Sequence, residues 1–264
     1  MPFLASLLTR RGAATLNWLR GWNGLTRFGA GAVVEALTPS FYNSATRSVV
    51  QKQIYFTAWQ ILPGYGLFAA LLSFVIIQIV VSKARDFGLS DYALEMTMRV
   101  LVLELLPLIT ALFVALRSGA AINTEVALMN INNEIKALRE AGVDPMRFEF
   151  VPRVIGGMIS VVSLISFSSI VALVLAYLVV YGWQLSGFAD FTRVIAKVFV
   201  PLAMFGLILK ALAFGLAVTV IPISAGLNAP QKLFFAPISV LQGMVRLFFV
   251  LMIIEVASLA LQYI

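Results

Sequence analysis

The sequence predicts an all-α polytopic membrane protein, with an N-terminal amphipathic interfacial helix followed by five transmembrane helices. Three observations lead to this fold class. The chain of 264 residues is 61% hydrophobic and only 12% charged, whereas a soluble domain usually carries about 25% charged residues. Its mean hydropathy is +0.98. Its apolar residues form long continuous runs, which are typical of transmembrane helices and not of the alternating strands of a membrane β-barrel.

Residues 1–56 are predicted to form one or two amphipathic helices on the cytoplasmic membrane surface. This segment contains six basic residues and a single acidic residue, Glu35. Apolar residues recur there at helical spacing in two groups, Leu16, Leu19, Trp22 and Leu25, and Val49, Val50, Ile54 and Tyr55. The alternative is a partly disordered tail, mainly over residues 1–30. The short apolar run before Arg10 does not resemble a signal peptide.

Residues 57–264 are predicted to form a five-span membrane domain, because they contain five apolar segments of about 20 residues or more. These segments are expected at about 58–82, 97–117, 154–181, 194–222 and 234–262, and the second continues as a less apolar helix towards Met129. Lys and Arg are concentrated before the first span and between the second and third spans. Because cytoplasmic segments are enriched in these residues, we expect a cytoplasmic N-terminus and a C-terminus outside.

The connection between the second and third spans contains a charged stretch, residues 117–145, with seven charged side chains. We expect a short cytoplasmic helix at about 130–141, capped at its start by Asn130 or Asn132 and ended by Gly142 and the Asp144-Pro145 pair. Ile131, Ile135 and Leu138 would form its apolar face. A helix this short is marginal alone in water. It should therefore pack on the membrane surface, on the spans or on a cytoplasmic partner, unless it is a solvated connector.

Several kinds of chemistry are absent from the sequence. The chain has no Cys and no His, which excludes disulfides, thiol nucleophiles and His-based metal or acid–base sites. It has no phosphate-binding G-x-x-x-x-G-K-[ST] motif and no G-x-S-x-G motif, so any ATP must be hydrolysed by another chain. We therefore expect no catalytic residue, no metal site and no enzyme activity in this chain alone. The net charge of +7 is attributed to cytoplasmic Lys and Arg and not to nucleic-acid binding.

Six short motifs follow one another between residues 103 and 157. In order, they are Glu104-Leu105-x-Pro107, Arg117-x-Gly119-Ala120, Glu125 with Met129, Glu134-Ile135-x-Ala137-Leu138, Gly142-Val143-Asp144-Pro145, and Pro152-Arg153. This series resembles the pattern of the MlaE/YrbE permease family, the membrane subunits of MCE-type ABC transporters. Residues 52–63, KQIYFTAWQILP, are also similar to the start of the first span in that family.

The chain departs from the family pattern at four places. Leu103 stands where an Arg is usual, and Leu116 stands where a Gly is usual. The Gly-rich segment late in the family is shortened to residues 222–232, and Arg246 stands where the family often has Asp. These departures are compatible with a divergent subgroup that has a different substrate or partner.

The resemblance implies a homodimeric permease subunit of an ATP-driven lipid transporter in the bacterial inner membrane, with its C-terminus in the periplasm. It implies a lipid cavity between the two copies, a periplasmic MCE-domain protein beside it, and a cytoplasmic ATPase that binds ATP and Mg; this chain would hold no cofactor itself. The helix at 130–141 would then be the coupling helix that docks on the ATPase. The residues expected to make this contact are Asn133, Glu134, Ile135, Lys136, Leu138 and Arg139.

Ionisable residues within the predicted spans are a further set of candidates, because each costs roughly 2.5–3.5 kcal/mol to insert into a bilayer. We expect a buried charge network or a cavity wall formed by Glu104, Arg117, Glu125, Lys210, Arg246 and Glu255. Pro107 and Gly119 are candidate hinge positions.

The role of each charge stays open at this point. Glu104 either lines a cavity as part of a polar hinge or pairs with Arg117 or Lys210. Lys210 either attracts a lipid phosphate or pairs with Glu104 or Glu255. Arg117 and Glu125 form a gate or a structural network, and Arg246 either snorkels or pairs. An alternative function is an ATPase-independent secondary transporter or channel that uses the buried Glu and Lys residues as a relay. A membrane-embedded lipid enzyme is a further alternative, which the missing catalytic motifs disfavour.

Overall fold

The computed structural model describes residues 24–38, 41–87, 90–231 and 236–263, and all regular structure in these ranges is helical. The helices are α1 (24–36), α2 (Ser44–Ile54), α3 (Leu62–Asp86), α4 (Ser90–Met98), α5 (Leu106–Val114), α6 (Ala120–Ile131), α7 (Glu134–Glu140), α8 (Val151–Tyr181), α9 (Phe188–Val198), α10 (Pro201–Leu227) and α11 (Ala236–Tyr263). The predicted apolar repeat of Leu16, Leu19 and Trp22 lies outside the described residues.

Within the described ranges, five helical stretches are long and apolar enough to cross a membrane. They are Ser44–Ala84, Tyr92–Ile131, Met146–Tyr181, Pro201–Leu227 and Pro237–Gln262. The predicted five-span, all-helical fold is therefore confirmed. The orientation of the termini stays a prediction from the distribution of Lys and Arg.

The first three spans, all within the described residues, contain four π-helical turns. They lie at Tyr55–Trp59, Arg99–Leu105, Ala115–Gly119 and Met146–Phe150. Such a turn adds a residue to the helical repeat, so the side chains after it point to a different face. The first turn joins α2 to the first span, and the helix is interrupted only at Gln60 and Ile61, just before Pro63. The apolar group from Val49 to Tyr55 thus lies on a helix that runs on towards the membrane.

The fourth span begins later than the sequence suggested, at Pro201 instead of about 194, and ends at Leu227 instead of about 222. The preceding residues form the separate helix α9, which is amphipathic and buries Phe191 and Val198. Val200 has an extended backbone conformation, as expected for a residue before a proline. The chain therefore turns between α9 and α10, and Arg193 and Lys197 lie on helix α9.

Helix α10 occupies the centre of the bundle and packs against α6, α8 and α11, while α8 also packs against α2 and α3. Small residues allow these close crossings, as is common where lipid gives no hydrophobic drive. A Cβ added at Gly215 of α10 would lie 2.9 Å from the Cα of Met158 in α8. One added at Gly226 would lie 2.8 Å from the carbonyl oxygen of Asn123 in α6.

The outer faces of α3 and α11 leave large apolar side chains exposed, including Leu71, Phe74, Phe249 and Ile253. In water such faces would drive aggregation. In a bilayer they are suited to contact with lipid tails or with another apolar helix.

Candidate functional site

The ammonium group of Lys210, in the middle of α10, lies between two carboxylates from two other spans. It forms an ion pair with Glu104 and lies 3.4 Å from the carboxylate of Glu255 in α11. Lys210, Glu104 and Glu255 are only 2%, 8% and 6% exposed. We call these three residues the charged triad. It joins the second, fourth and fifth spans at one buried point.

A proline close in sequence helps to build this site. In an α-helix each N–H bonds to the carbonyl four residues earlier, but Pro107 has no N–H to give to the carbonyl of Leu103. Lys210 donates a hydrogen bond to that carbonyl oxygen, at 3.2 Å. Glu104 itself lies in the π-helical turn Arg99–Leu105. The wide turn and the proline thus give Lys210 both a backbone and a side-chain acceptor.

The triad holds two carboxylates and one ammonium group. Buried charges are stable only when they are paired and hydrogen-bonded, and Lys210 has such partners within the protein. Of the alternatives for Lys210, the structure therefore has the pairing with both Glu104 and Glu255, and not a side chain left open for a lipid phosphate. One oxygen of each carboxylate, Oε1 of Glu104 and Oε2 of Glu255, has no hydrogen-bond partner among the described residues.

A second ionic cluster lies at the end of the bundle that carries α7, which we call the α7 end. Arg153, in the first turn of α8, is 7% exposed. It forms ion pairs with Glu125 of α6, at 3.0 Å, and with Glu149. The sequence alone does not mark Arg153 or Glu149 as site residues, although Arg153 belongs to the Pro152-Arg153 motif and lies four residues after Glu149.

Arg117 does not join Glu125 or Glu104. Its guanidinium donates to the carbonyl oxygen of Phe56, at 3.1 Å, and to the side chain of Gln60, at 3.2 Å. Gln60 lies at the break in the helix of the first span, and Phe56 lies in the π-helical turn just before it. Arg117 therefore links the second span to this break in the first.

Helix α7 is shorter than predicted, because it begins at Glu134 and not near residue 130. Asn133 has a left-handed backbone conformation, with a φ of 59°, that separates α7 from α6. Asn130 and Asn132 therefore do not cap α7, since Asn130 lies within α6 and Asn132 ends it. The proposed apolar face is divided in the same way, with Ile131 on α6.

The end of α7 is formed as the sequence predicts. Gly142 has a φ of 77°, which side chains with a Cβ rarely adopt. The N–H groups of Gly142 and Val143 donate to the carbonyl oxygens of Arg139, at 3.0 Å, and Leu138, at 2.9 Å. This pair of bonds is the Schellman arrangement, which satisfies the last free carbonyls of a helix.

The two sides of α7 differ in exposure. Ile135 is 7% exposed and belongs to the hydrophobic core, and Leu138 is partly buried. The exposed residues between 133 and 140 are Asn133, Glu134, Lys136, Ala137, Arg139 and Glu140. Lys136 and Glu140 form an exposed ion pair at 3.7 Å, which contributes little to stability. The helix thus sits on the membrane domain by one residue and presents a charged surface away from it.

Asn130 attaches the corner between α6 and α7 to the end of α10. Its side-chain amide donates to the carbonyl oxygens of Leu227, at 3.1 Å, and Ala229, at 3.0 Å. The sequence indicates Asn130 only as a possible helix cap. No local pattern marks this role, because the acceptors are 97 and 99 residues away.

The remaining candidates lie apart from the triad. A Cβ added at Gly119 would lie 3.4 Å from Pro222 and 3.6 Å from Leu247, so this position is a close crossing with α10 and α11. Arg246 lines a cavity of about 310 Å³ between the end of α10 and the start of α11, with Asn228, Ser239 and Gln242. It precedes Glu255 by nine residues, which corresponds to about 13 Å along the helix.

Comparisons with known proteins agree with this architecture. The family model described as "Permease MlaE" matches residues 50–261. A probable ABC transporter permease protein of Rickettsia conorii is 26% identical over 221 residues, covering 81% of this chain and 82% of the relative. A similarly named protein of Rickettsia felis is 25% identical over 229 residues, covering 84% and 85%.

A third relative is similar over a shorter region. The intermembrane phospholipid transport system permease protein MlaE of Haemophilus influenzae is 34% identical over 100 residues, which cover 36% of this chain and 38% of the relative. The family model itself extends over all five spans, including the C-terminal region where the motifs depart from the pattern. The chain belongs to the MlaE permease family.

Proposed function

We propose that this chain is the transmembrane permease subunit of an ATP-driven, MCE-type lipid transporter in the bacterial inner membrane. The observation that carries the proposal is the geometry of α7. A seven-residue helix is seated on a membrane domain by Ile135, is fixed at both ends by left-handed residues, and exposes a charged surface. Such a rigid, charged helix suits a docking contact with another protein, where complementary charges set the register. The expected partner is a cytoplasmic ATPase that binds ATP and Mg.

The contacts behind α7 supply a path by which its movement would reach the membrane. Asn130 holds the corner next to α7 against the end of α10. Lys210 lies 17 residues before Leu227 on the same helix, which is about 25 Å along its axis. A push on α7 would therefore tilt α10 and shift the triad that joins it to the second and fifth spans.

Lipid as the transported molecule is supported by the apolar outer faces of the bundle and by the relatives. The relative from Haemophilus influenzae is named a phospholipid transport permease. The exposed apolar residues of α3 and α11 would either line a cavity for lipid tails or meet a second copy of the chain in a homodimer. A periplasmic MCE-domain protein would receive or deliver the lipid at the other end of the bundle, where α9 lies.

The test is a double charge reversal on α7, Glu134→Arg with Arg139→Glu, in the complete transporter purified in mild detergent. We expect the ATPase to be lost during purification and lipid-dependent ATP hydrolysis to fall. The matched control is the double reversal Asp190→Arg with Lys197→Glu on α9, which also exchanges an exposed acid and an exposed base. If the α7 variant retains both the ATPase and transport, the docking proposal is wrong.

An ATPase-independent transporter remains the second candidate, because the triad contains two carboxylates and one ammonium group that could exchange protons. The geometry of the triad supports an ATPase-independent transporter less than an ATP-driven one. Neither the cavity beside Arg246 nor the groove between α2 and α8 is lined by a triad residue. Membership of a permease family favours a transport subunit over a lipid-modifying enzyme.

A further inference from the structure

A groove with a volume of about 390 Å³ lies between α2 and α8, at the α7 end of the bundle. Its walls include Phe41, Val50, Ile155 and Ile159, and its rim includes Tyr42 and Arg47. The volume falls within the range of about 300–1,000 Å³ that is usual for small-molecule sites. The groove is therefore apolar inside and carries a positive charge at its edge.

The groove ends where α2 and α8 come into close contact. A Cβ added at Gly156 of α8 would lie 2.7 Å from the Cβ of Gln53 and 3.0 Å from the carbonyl oxygen of Val50. Ile155 and Ile159, the next positions of α8 towards α2, line the open part. Because Gly156 has no side chain, α2 and α8 are in direct contact at this position, and the groove lies beside the contact.

The polar groups of Asn43, Thr46 and Tyr42, next to the groove, have hydrogen-bond partners. Asn43 and Thr46 form a reciprocal capping box at the start of α2, and the hydroxyl of Thr46 also donates to the carbonyl of Phe41. The hydroxyl of Tyr42 donates to the carbonyl of Ala36. The exposed guanidinium of Arg47 makes no hydrogen bond or ion pair with any residue that the structure describes.

The acidic residues at the α7 end that could pair with Arg47 are occupied elsewhere. Glu35 pairs with Arg147, at 3.2 Å, and Glu125 and Glu149 both pair with Arg153. Helix α2 itself contains no acidic residue. An anion that meets Arg47 must therefore come from outside the described part of the chain.

The depth of the groove matches an amphiphilic molecule. Ile159 lies eight residues after Val151, the first residue of α8, which is about 12 Å along the helix. The groove thus runs from the membrane surface into the hydrocarbon. Its charged rim lies on the side predicted to be cytoplasmic, where anionic lipid head groups attract Lys and Arg.

We propose that this groove binds one anionic phospholipid of the cytoplasmic leaflet, with an acyl chain against Phe41 and Ile159 and the phosphate on Arg47. The site lies on the outer surface of α2 and α8, away from the triad and from α11. The lipid is a fixed component that holds α2 against α8, and is not the transported molecule. The inference requires that the chain spans a membrane with its N-terminus on the cytoplasmic side, and it does not depend on the proposed transport function.

The test is lipid titration of the purified full-length chain, followed by native mass spectrometry. The probes are phosphatidylglycerol and phosphatidylcholine with identical acyl chains. We expect the first phosphatidylglycerol molecule to bind more tightly than further phosphatidylglycerol molecules and than phosphatidylcholine. Arg47→Gln should weaken this binding about fivefold, as expected for one basic side chain near a lipid head group. Ile159→Trp should fill the groove and reduce the binding of that lipid still further.

Lys52→Gln is the matched control, since Lys52 is an exposed cation on the same helix that does not line the groove. The affinity of the Lys52→Gln variant for phosphatidylglycerol should stay within twofold of the affinity of the unchanged chain. Equal weakening by Arg47→Gln and Lys52→Gln would mean diffuse surface attraction and no site. Unchanged binding in both groove variants would also overturn the proposal.

Discussion

Replacing Lys210 with Met removes the ammonium group that lies between Glu104 and Glu255 and keeps a side chain of similar length. Three interactions are lost together, with the two carboxylates and with the carbonyl of Leu103. At the 3.4 Å separation from Glu255, the lost attraction is about 5 kcal/mol for an effective dielectric constant of 20. Part of it is offset because the ammonium no longer has to be desolvated.

The carboxylates that remain decide the net effect. They come from two different spans and would be left buried without a positive partner. Removing one member of a buried ion pair typically costs about 3–5 kcal/mol, so we expect the free energy of unfolding to fall by that amount. The loss should be smaller at lower pH, because protonation of a carboxylate removes its uncompensated charge.

The measurement is reversible unfolding by sodium dodecyl sulfate in mixed micelles, followed by far-ultraviolet circular dichroism. Lys197→Met on the exposed side of α9 is the matched control and should change the free energy of unfolding by less than about 0.5 kcal/mol. Adding Glu104→Gln and Glu255→Gln to Lys210→Met should recover most of the loss. If the free energy of unfolding of the Lys210→Met variant lies within about 1 kcal/mol of that of the unchanged chain, the triad does not hold the three spans together.

Three further changes can be followed by the same unfolding assay. Gly226→Ala should lower the free energy of unfolding by about 1–3 kcal/mol, because its new methyl group would meet the backbone of α6. In the control Gly64→Ala, the new methyl group would have no atom within 4 Å, so the free energy of unfolding should stay equal or rise by up to about 1 kcal/mol. Arg153→Met should lower it by about 3 kcal/mol, while Arg193→Met, which breaks an exposed pair, should lower it by less than about 0.5 kcal/mol. Asn130→Leu should lower it by about 1–2 kcal/mol and accelerate amide hydrogen exchange in α7; unchanged exchange would show that the amide does not fix this corner.

The sequence was sufficient for the features that depend on hydropathy or on a single backbone requirement. Five apolar runs predicted five spans, because the length of a span is set by the thickness of the bilayer. The end of α7 at Gly142 was predictable because a residue with a positive φ is usually a glycine. For Lys210, deep in an apolar helix, the sequence indicated Glu104 and Glu255 as possible partners, but it left a lipid phosphate open as the alternative.

Other features depend on three-dimensional proximity or on helical direction, which a hydropathy window does not contain. Val194 and Ile195 raise the mean hydropathy ahead of Pro201, so the predicted fourth span includes residues 194–198, which belong to α9. The window averages over all faces of a helix, whereas α9 is apolar on only one. The pairing of Arg153 with Glu125 and the bonds from Asn130 to the end of α10 join residues from different spans, and they follow only once the helices are packed.

The charged triad also has a consequence for how the chain is assembled in the membrane. During synthesis Glu104 enters the bilayer first, Lys210 follows 106 residues later, and Glu255 comes 45 residues after that. An isolated charge opposes insertion by roughly 2.5–3.5 kcal/mol, a cost that the apolar residues around it have to offset. Glu104 and Glu255 each bring a negative charge, and Lys210 brings the positive charge that pairs with both. The second and fifth spans therefore both gain from docking on the fourth.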